Sequence, residues 1–162
     1  MFWRLAIISV ALLLVPTGSS ASRAQPAQVS GIGGIVHMPP VPGPVIDGYR
    51  PPPEPWLPGN RGLEYDTEPG EPVKASAAGV VTFAGAVAGS FHVTIAHDDR
   101  LRTTLAFVAE PLVAVGDRVR GGDVVAIAGD SVHFTARVDG EYIDPMLLFA
   151  PHRWMVRLIP TE

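Results

Sequence analysis

Proline and glycine decide first what this chain cannot be. Each supplies 17 of the 162 residues, and beyond residue 24 no stretch keeps a helical apolar period for the ten or more residues that a helix needs. Proline fixes φ and donates no amide hydrogen, so a chain broken this often must build its core from short strands and turns. At 47% hydrophobic residues there is enough apolar material for one domain with a real core.

The prolines concentrate between residues 25 and 58, in Met38-Pro39-Pro40-Val41-Pro42-Gly43-Pro44 and Tyr49-Arg50-Pro51-Pro52-Pro53-Glu54-Pro55-Trp56-Leu57-Pro58. Extended, polyproline-like backbone is expected there. Val45, Ile46, Tyr49 and Trp56 predict that residues 36–58 form an arm lying on the domain rather than a free linker.

After Ala75, β-branched and aromatic residues alternate in short runs at 79–84, 91–97, 101–107 and 132–138, the signature of half-buried strands. Asp98-Asp99 marks a turn, and residues 113–128 read as a compact connection with two Gly-polar pairs. Asp139-Gly140 is a two-residue hairpin signal leading to Glu141-Tyr142-Ile143. Asp144-Pro145 reads as an N-cap with proline at the first helical position, opening one turn at 146–149. The fold class expected is all-β.

Residues 1–24 carry the marks of an export leader: Arg4, then eleven apolar-rich residues over 5–15, then Pro16 and small residues before Ala21 and Ala24. Eleven residues fall short of the ~20 that span a bilayer, so cleavage is expected, with no membrane span afterwards. There is no cysteine, hence no disulfide, thiolate ligand or lipidated cysteine. The formal charge is −4, and the eleven arginines and one lysine form no run that tracks phosphates, so nucleic acid is not an expected partner.

Two stretches carry chemistry. Asn60-Arg61-Gly62-Leu63-Glu64 is followed by Pro69-Gly70-Glu71-Pro72-Val73-Lys74-Ala75, and Ser131-Val132-His133-Phe134 comes some sixty residues later. Together they resemble the lysostaphin-type (LytM-like) zinc metallopeptidases that cut peptide cross-links of bacterial cell wall, a family with H-x-G-x-D, then Pro-Gly-x-Pro-Val-x-Ala, then H-x-H. The resemblance runs from Trp56 to Leu147. It implies two antiparallel sheets in a sandwich-like domain over residues 59–150, with a tail at 151–162.

The resemblance also implies roles. Asn60, Glu64 and His133 fall on the three metal-ligand positions, Ser131 and Phe107 on those of two catalytic histidines. Neutral Asn is a poor zinc donor, and neither Ser nor Phe moves a proton near neutral pH. The expectation is an exported, catalytically inactive homologue that binds peptidoglycan stem peptides or a cell-wall hydrolase. An active zinc endopeptidase cleaving wall cross-links is the alternative.

Glu64, Asp66, Glu68 and Glu71 predict a negatively charged groove that favours amino groups. His92 reads as an exposed strand residue and His97 as a structural hydrogen-bonding one. The Gly-Asp turns also resemble biotinyl or lipoyl carrier domains, which display a lysine on a hairpin tip; the one lysine here is Lys74, inside the first strand region, so carrier chemistry has no residue to act through.

Overall fold

A computed structural model describes residues 35–149 except Pro55, Asp98 and Asp99. The leader at 1–24, the start of the arm at 25–34, the tail at 151–162 and the Asp98-Asp99 turn lie outside the described residues. Among the described residues there are nine strands: β1 (Val45–Asp47), β2 (Gly62–Asp66), β3 (Pro72–Lys74), β4 (Gly79–Val87), β5 (Ser90–Ala96), β6 (Leu101–Pro111), β7 (Arg118–Val119), β8 (Val124–Val138) and β9 (Glu141–Ile143), followed by the short helical turn α1 (Met146–Phe149). Among the described residues no helix is long and apolar enough to cross a membrane.

Every strand pairing is antiparallel. Hydrogen bonding is continuous through the order β1-β2-β8-β6-β5-β4-β7, with β3 and β9 also on β8. The two antiparallel sheets expected from sequence are therefore joined into one hydrogen-bonded sheet, because the long strands β6 and β8 run through both parts. β8 pairs with β3 and β6 in its first part and with β2, β6 and β9 in its second. It begins at Val124, where a connection was expected to continue to residue 128, and β6 runs past Phe107 to Pro111. Both extensions use residues whose partners lie far away in sequence, a cue that local alternation does not carry.

Alternation explains the core. On β8, Val132, Phe134 and Ala136 are fully buried while Ser131, His133 and Arg137 are half-buried on the opposite face. Leu63 and Tyr65 of β2, Val93 and Ile95 of β5, and Leu105 of β6 join Val132 and Phe134 in one cluster. α1 covers its edge: Phe149 stacks on Phe134 with ring centroids 5.8 Å apart, and the Asp144 carboxylate accepts the Met146 N–H at 2.9 Å as a cap. The hairpin turn forms at Asp139 and Gly140, both with positive φ, as a turn matching strand twist requires.

The proline-rich segment is held mainly by its backbone. Pro40 O accepts from Lys74 N, Pro44 O from Asp66 N, and Arg50 and Asn60 exchange both amide bonds. Val41 enters the core and the Tyr49 hydroxyl donates to Tyr142 O at 3.1 Å. Ile46 and Trp56, expected to dock, are instead exposed at 58% and 78%. β1 is an edge strand, so Ile46 points outward while the amides do the attaching.

Phe134 is the largest fully buried side chain. Phe134→Ala is expected to cost about 3–5 kcal/mol of unfolding free energy, read from urea melts. A loss under about 1 kcal/mol would contradict its place in the core.

Candidate functional site

The solvent face of the sheet carries the chemistry, and strand register assembles it. Gly62, Thr135, Thr104 and Thr94 lie opposite one another in a row across β2, β8, β6 and β5; in the next row stand Glu64, His133, Ala106 and His92. Opposed residues of antiparallel strands share a face, and these rows, apart from Gly62 and Glu64 on β2, floor a cleft of about 440 Å³ also lined by Asn60, Arg61, Phe83, Val87, Phe107, Arg137 and Tyr142.

Asn60 is oriented by two backbone groups. Its Nδ2 donates to Asp47 O at 3.3 Å and its Oδ1 accepts the Gly62 N–H at 2.9 Å. Oδ1 then faces His133 Nε2 at 2.9 Å; since the oxygen accepts, Nε2 is the protonated ring nitrogen. Close approach needs glycine at position 62, where a Cβ would fall 2.3 Å from Phe134 O and 2.8 Å from His133 Nε2. The Ser131 hydroxyl donates to Glu64 Oε1 at 3.0 Å. Four of the five residues singled out from sequence thus form two adjacent hydrogen-bonded pairs. Among the described residues no group of three His, Cys, Asp or Glu side chains could hold a metal ion.

Phe107, the fifth, sits at a bulge in β6 with φ of 62°, a backbone state that costs a bulky L-residue about 1–2 kcal/mol. Its ring stacks over His133 and meets His92 edge-on, each with centroids 6.0 Å apart. Burial pushes His133 below its ordinary pKa of 6.5, outweighing the Glu64 and Asp47 carboxylates, with His92 adding to the fall. Burial lowers His92 as well.

Two expectations are corrected. His92 faces the cleft, because it alternates with buried Val93 and aligns with Ala106 and His133. The groove is not acidic: Asp66, Glu68 and Glu71 border a separate depression with Pro42, Gly43 and Pro44, while the charged side chains lining the cleft are Arg61 and Arg137, joined by His92 and His133. The chain leaves β2 at Asp66, and that turn carries the acids away from the cleft. Lys74 lies within β3, not at a hairpin tip. His97 is structural as expected: Nδ1 donates to Ala78 O at 2.9 Å and Nε2 lies 2.7 Å from the Thr103 hydroxyl. Sequence reading missed Arg61, Arg137, Tyr142 and the three threonines of the floor. For Thr94, Thr135 and Arg137 the period-two spacing with His92 and His133 was the available signal.

With the fold and cleft in place, residues 58–145, more than half of the chain, match the family described as Peptidase family M23, and the chain belongs to it. It is 34% identical over 98 residues to the DD-carboxypeptidase/endopeptidase Mpg of Neisseria meningitidis, covering 56% of this chain and 23% of that protein. Over 71 residues it is 42% identical to an uncharacterized protein of Mycobacterium tuberculosis, covering 44% of this chain and 26% of that one. It spans about a quarter of the length of these curated relatives. The catalytic domain of lysostaphin from Staphylococcus simulans shares the fold, with a TM-score of 0.58 at 24% identity over 66% of this chain and 92% of that domain. The all-β, antiparallel, lysostaphin-type architecture read from the sequence is the one observed.

The histidines set a pH dependence. Their folded pKa values lie below 6.5, so the unfolded chain binds more protons as pH falls through that value; stability is full above it and declines towards the folded pKa values. Unfolding free energy measured from about pH 8 to about pH 5 should fall in the wild type and fall less in His133→Gln. Equal slopes in the two proteins would contradict the assignment to His133.

Proposed function

We propose that this chain is an M23 domain that binds peptidoglycan stem peptides in the cleft beside His133 without hydrolysing them, after export directed by residues 1–24. The observation that carries this reading is the 2.9 Å contact between Asn60 Oδ1 and His133 Nε2. It stands where the family resemblance puts two ligands of a zinc ion.

A catalytic zinc site takes three protein donors and keeps a position open for water. Asn60 Oδ1 already accepts two hydrogens, from Gly62 N–H and from His133. Glu64 accepts the Ser131 hydroxyl. Turning these side chains to a cation means giving up both pairs and moving the His133 proton to Nδ1, while the neutral amide contributes no charge in return. The set does not fit zinc. Nor do Ser131 and Phe107 replace the two histidines: serine is not a base near neutral pH, and the phenyl ring has no proton to exchange.

The cleft itself suits a short extended peptide. Thr94, Thr104 and Thr135 supply hydroxyls along its floor, and Phe83, Val87 and Phe107 supply apolar wall for small side chains. This mixture of convergent polar groups and apolar lining is what small-ligand clefts use.

Protein isolated without added zinc should carry far less than one equivalent. Metal analysis finding stoichiometric zinc after dialysis against a mild chelator would overturn this and favour an active endopeptidase. Asn60→His combined with Glu64→Asp should raise zinc affinity by about 10-fold or more, with little hydrolysis because Ser131 and Phe107 remain; a double variant no better than wild type would show that these positions are not the ligand sites.

Purified wall sacculi should retain the chain at low salt and release no soluble fragments. If sacculi are ignored while a cell-wall hydrolase is captured, the partner is that enzyme and the peptide-binding reading fails.

A further inference from the structure

The cleft has a charged end, and its charge is positive. Arg137 on β8 lies opposite Arg102 on β6 and opposite Tyr142 on β9. Like charges in directly opposed positions repel each other. Among the described residues the ion pairs are Arg50–Asp47 and Arg100–Asp139, so no carboxylate of the described chain bridges Arg102 and Arg137. A third arginine joins them: the Arg61 and Arg137 guanidinium carbons lie 5.9 and 5.5 Å from the centre of the Tyr142 ring. Cation-π attraction draws both planar groups to the Tyr142 ring. Tyr142 is itself fixed from behind, because the Tyr49 hydroxyl donates to its carbonyl.

We propose that this end of the cleft, Arg137 with Arg102 opposite it and Tyr142 beside it, is a subsite for the free carboxylate of a peptide ligand. The proposal rests on the peptide-binding reading above and adds to it the direction in which the peptide lies. A carboxylate fits a guanidinium edge with two parallel hydrogen bonds, and its charge relieves the repulsion between Arg102 and Arg137. Arg137 and His133 are four residues apart on β8, about 13 Å at the rise of a strand. An extended peptide whose carboxyl end sits at Tyr142 therefore lays its preceding three or four residues along Thr135 and Thr104 towards His133 and Phe107. No Asp or Glu lines this cleft, so the amino-group selection expected from the sequence has no group to act through, and the opposite polarity is favoured.

The test compares N-acetylated tri-alanine bearing a free C-terminal carboxylate with its C-terminal carboxamide, by titration calorimetry on the exported-length chain at low salt. The carboxylate peptide should bind about 10-fold or more tightly than the amide, and added salt should shrink the difference. Arg137→Gln should abolish the preference, with Arg137→Lys as a second variant expected to keep only part of it. Arg120→Gln, outside the cleft, should keep it whole. Equal binding of the two peptides to the wild type, which needs no variant to fold, overturns the proposal. If sacculi are still retained in that case, the peptide-binding reading stands without this subsite; if neither peptides nor sacculi bind, that reading falls with it. Inorganic phosphate displacing the carboxylate peptide far better than acetate does would reassign the arginines to phosphate and likewise overturn the proposal.

Discussion

The fifteen-residue strand β8 is the constraint on which both faces of the molecule depend. Its pairings with β2, β3, β6 and β9 leave no freedom to slide by one residue, since a slip would send Val132, Phe134 and Ala136 to solvent and His133 and Arg137 into the core. The hydrophobic effect thus fixes the chemistry indirectly. Burial of three apolar side chains, each with no accessible surface, sets where His133 stands relative to Glu64, Ala106 and His92.

That register makes the identity of residue 60 decisive. Asn60 arrives from the loop before β2, fastened by its amide exchange with Arg50 and by Asp47 O. A histidine there would bring a second imidazole towards His133. Asparagine brings a neutral carbonyl that its own backbone neighbourhood already satisfies at Gly62 N–H. The same scaffold geometry that can focus donors on a cation here closes a hydrogen-bonded pair, and both partners are satisfied without one. Glu64 and Ser131 repeat the pattern one step along the strands.

Much of this was legible in the sequence, and what was not has a common cause. Glycine and proline positions, alternation over 91–97 and 132–138, the Asp139-Gly140 turn and the Asp144 cap are local signals, and they placed strands, turn and α1 correctly. Asn60, Gly62, Glu64, Ser131 and His133 were assembled through motif spacing, and the structure brings them within hydrogen-bond or register contact. His92 and Arg137 alternate with buried neighbours, but that their face is the cleft is decided by pairings between distant strands, as it is for Arg61 and Tyr142. The charge of the cleft was misread for the same reason: Asp66, Glu68 and Glu71 are close to Glu64 along the chain, but the turn after β2 takes them to another depression.

Phe107 shows how a bulge sets the surroundings of the side chains beneath it. Its ring lies over His133 and against the edge of His92, so an apolar group stands between two imidazoles that would otherwise face water. Excluding water disfavours the charged form of each, which is the direction in which both histidines are displaced. Through its Nε2–H, His133 donates to Asn60 Oδ1. The strained backbone at φ 62° holds the phenyl ring in that place, since an unbulged β6 would turn residue 107 to the opposite face of the sheet from Ala106. The bulge aims a side chain into this cleft, and what it aims is a hydrophobic cover that disfavours charge on the two imidazoles beneath it.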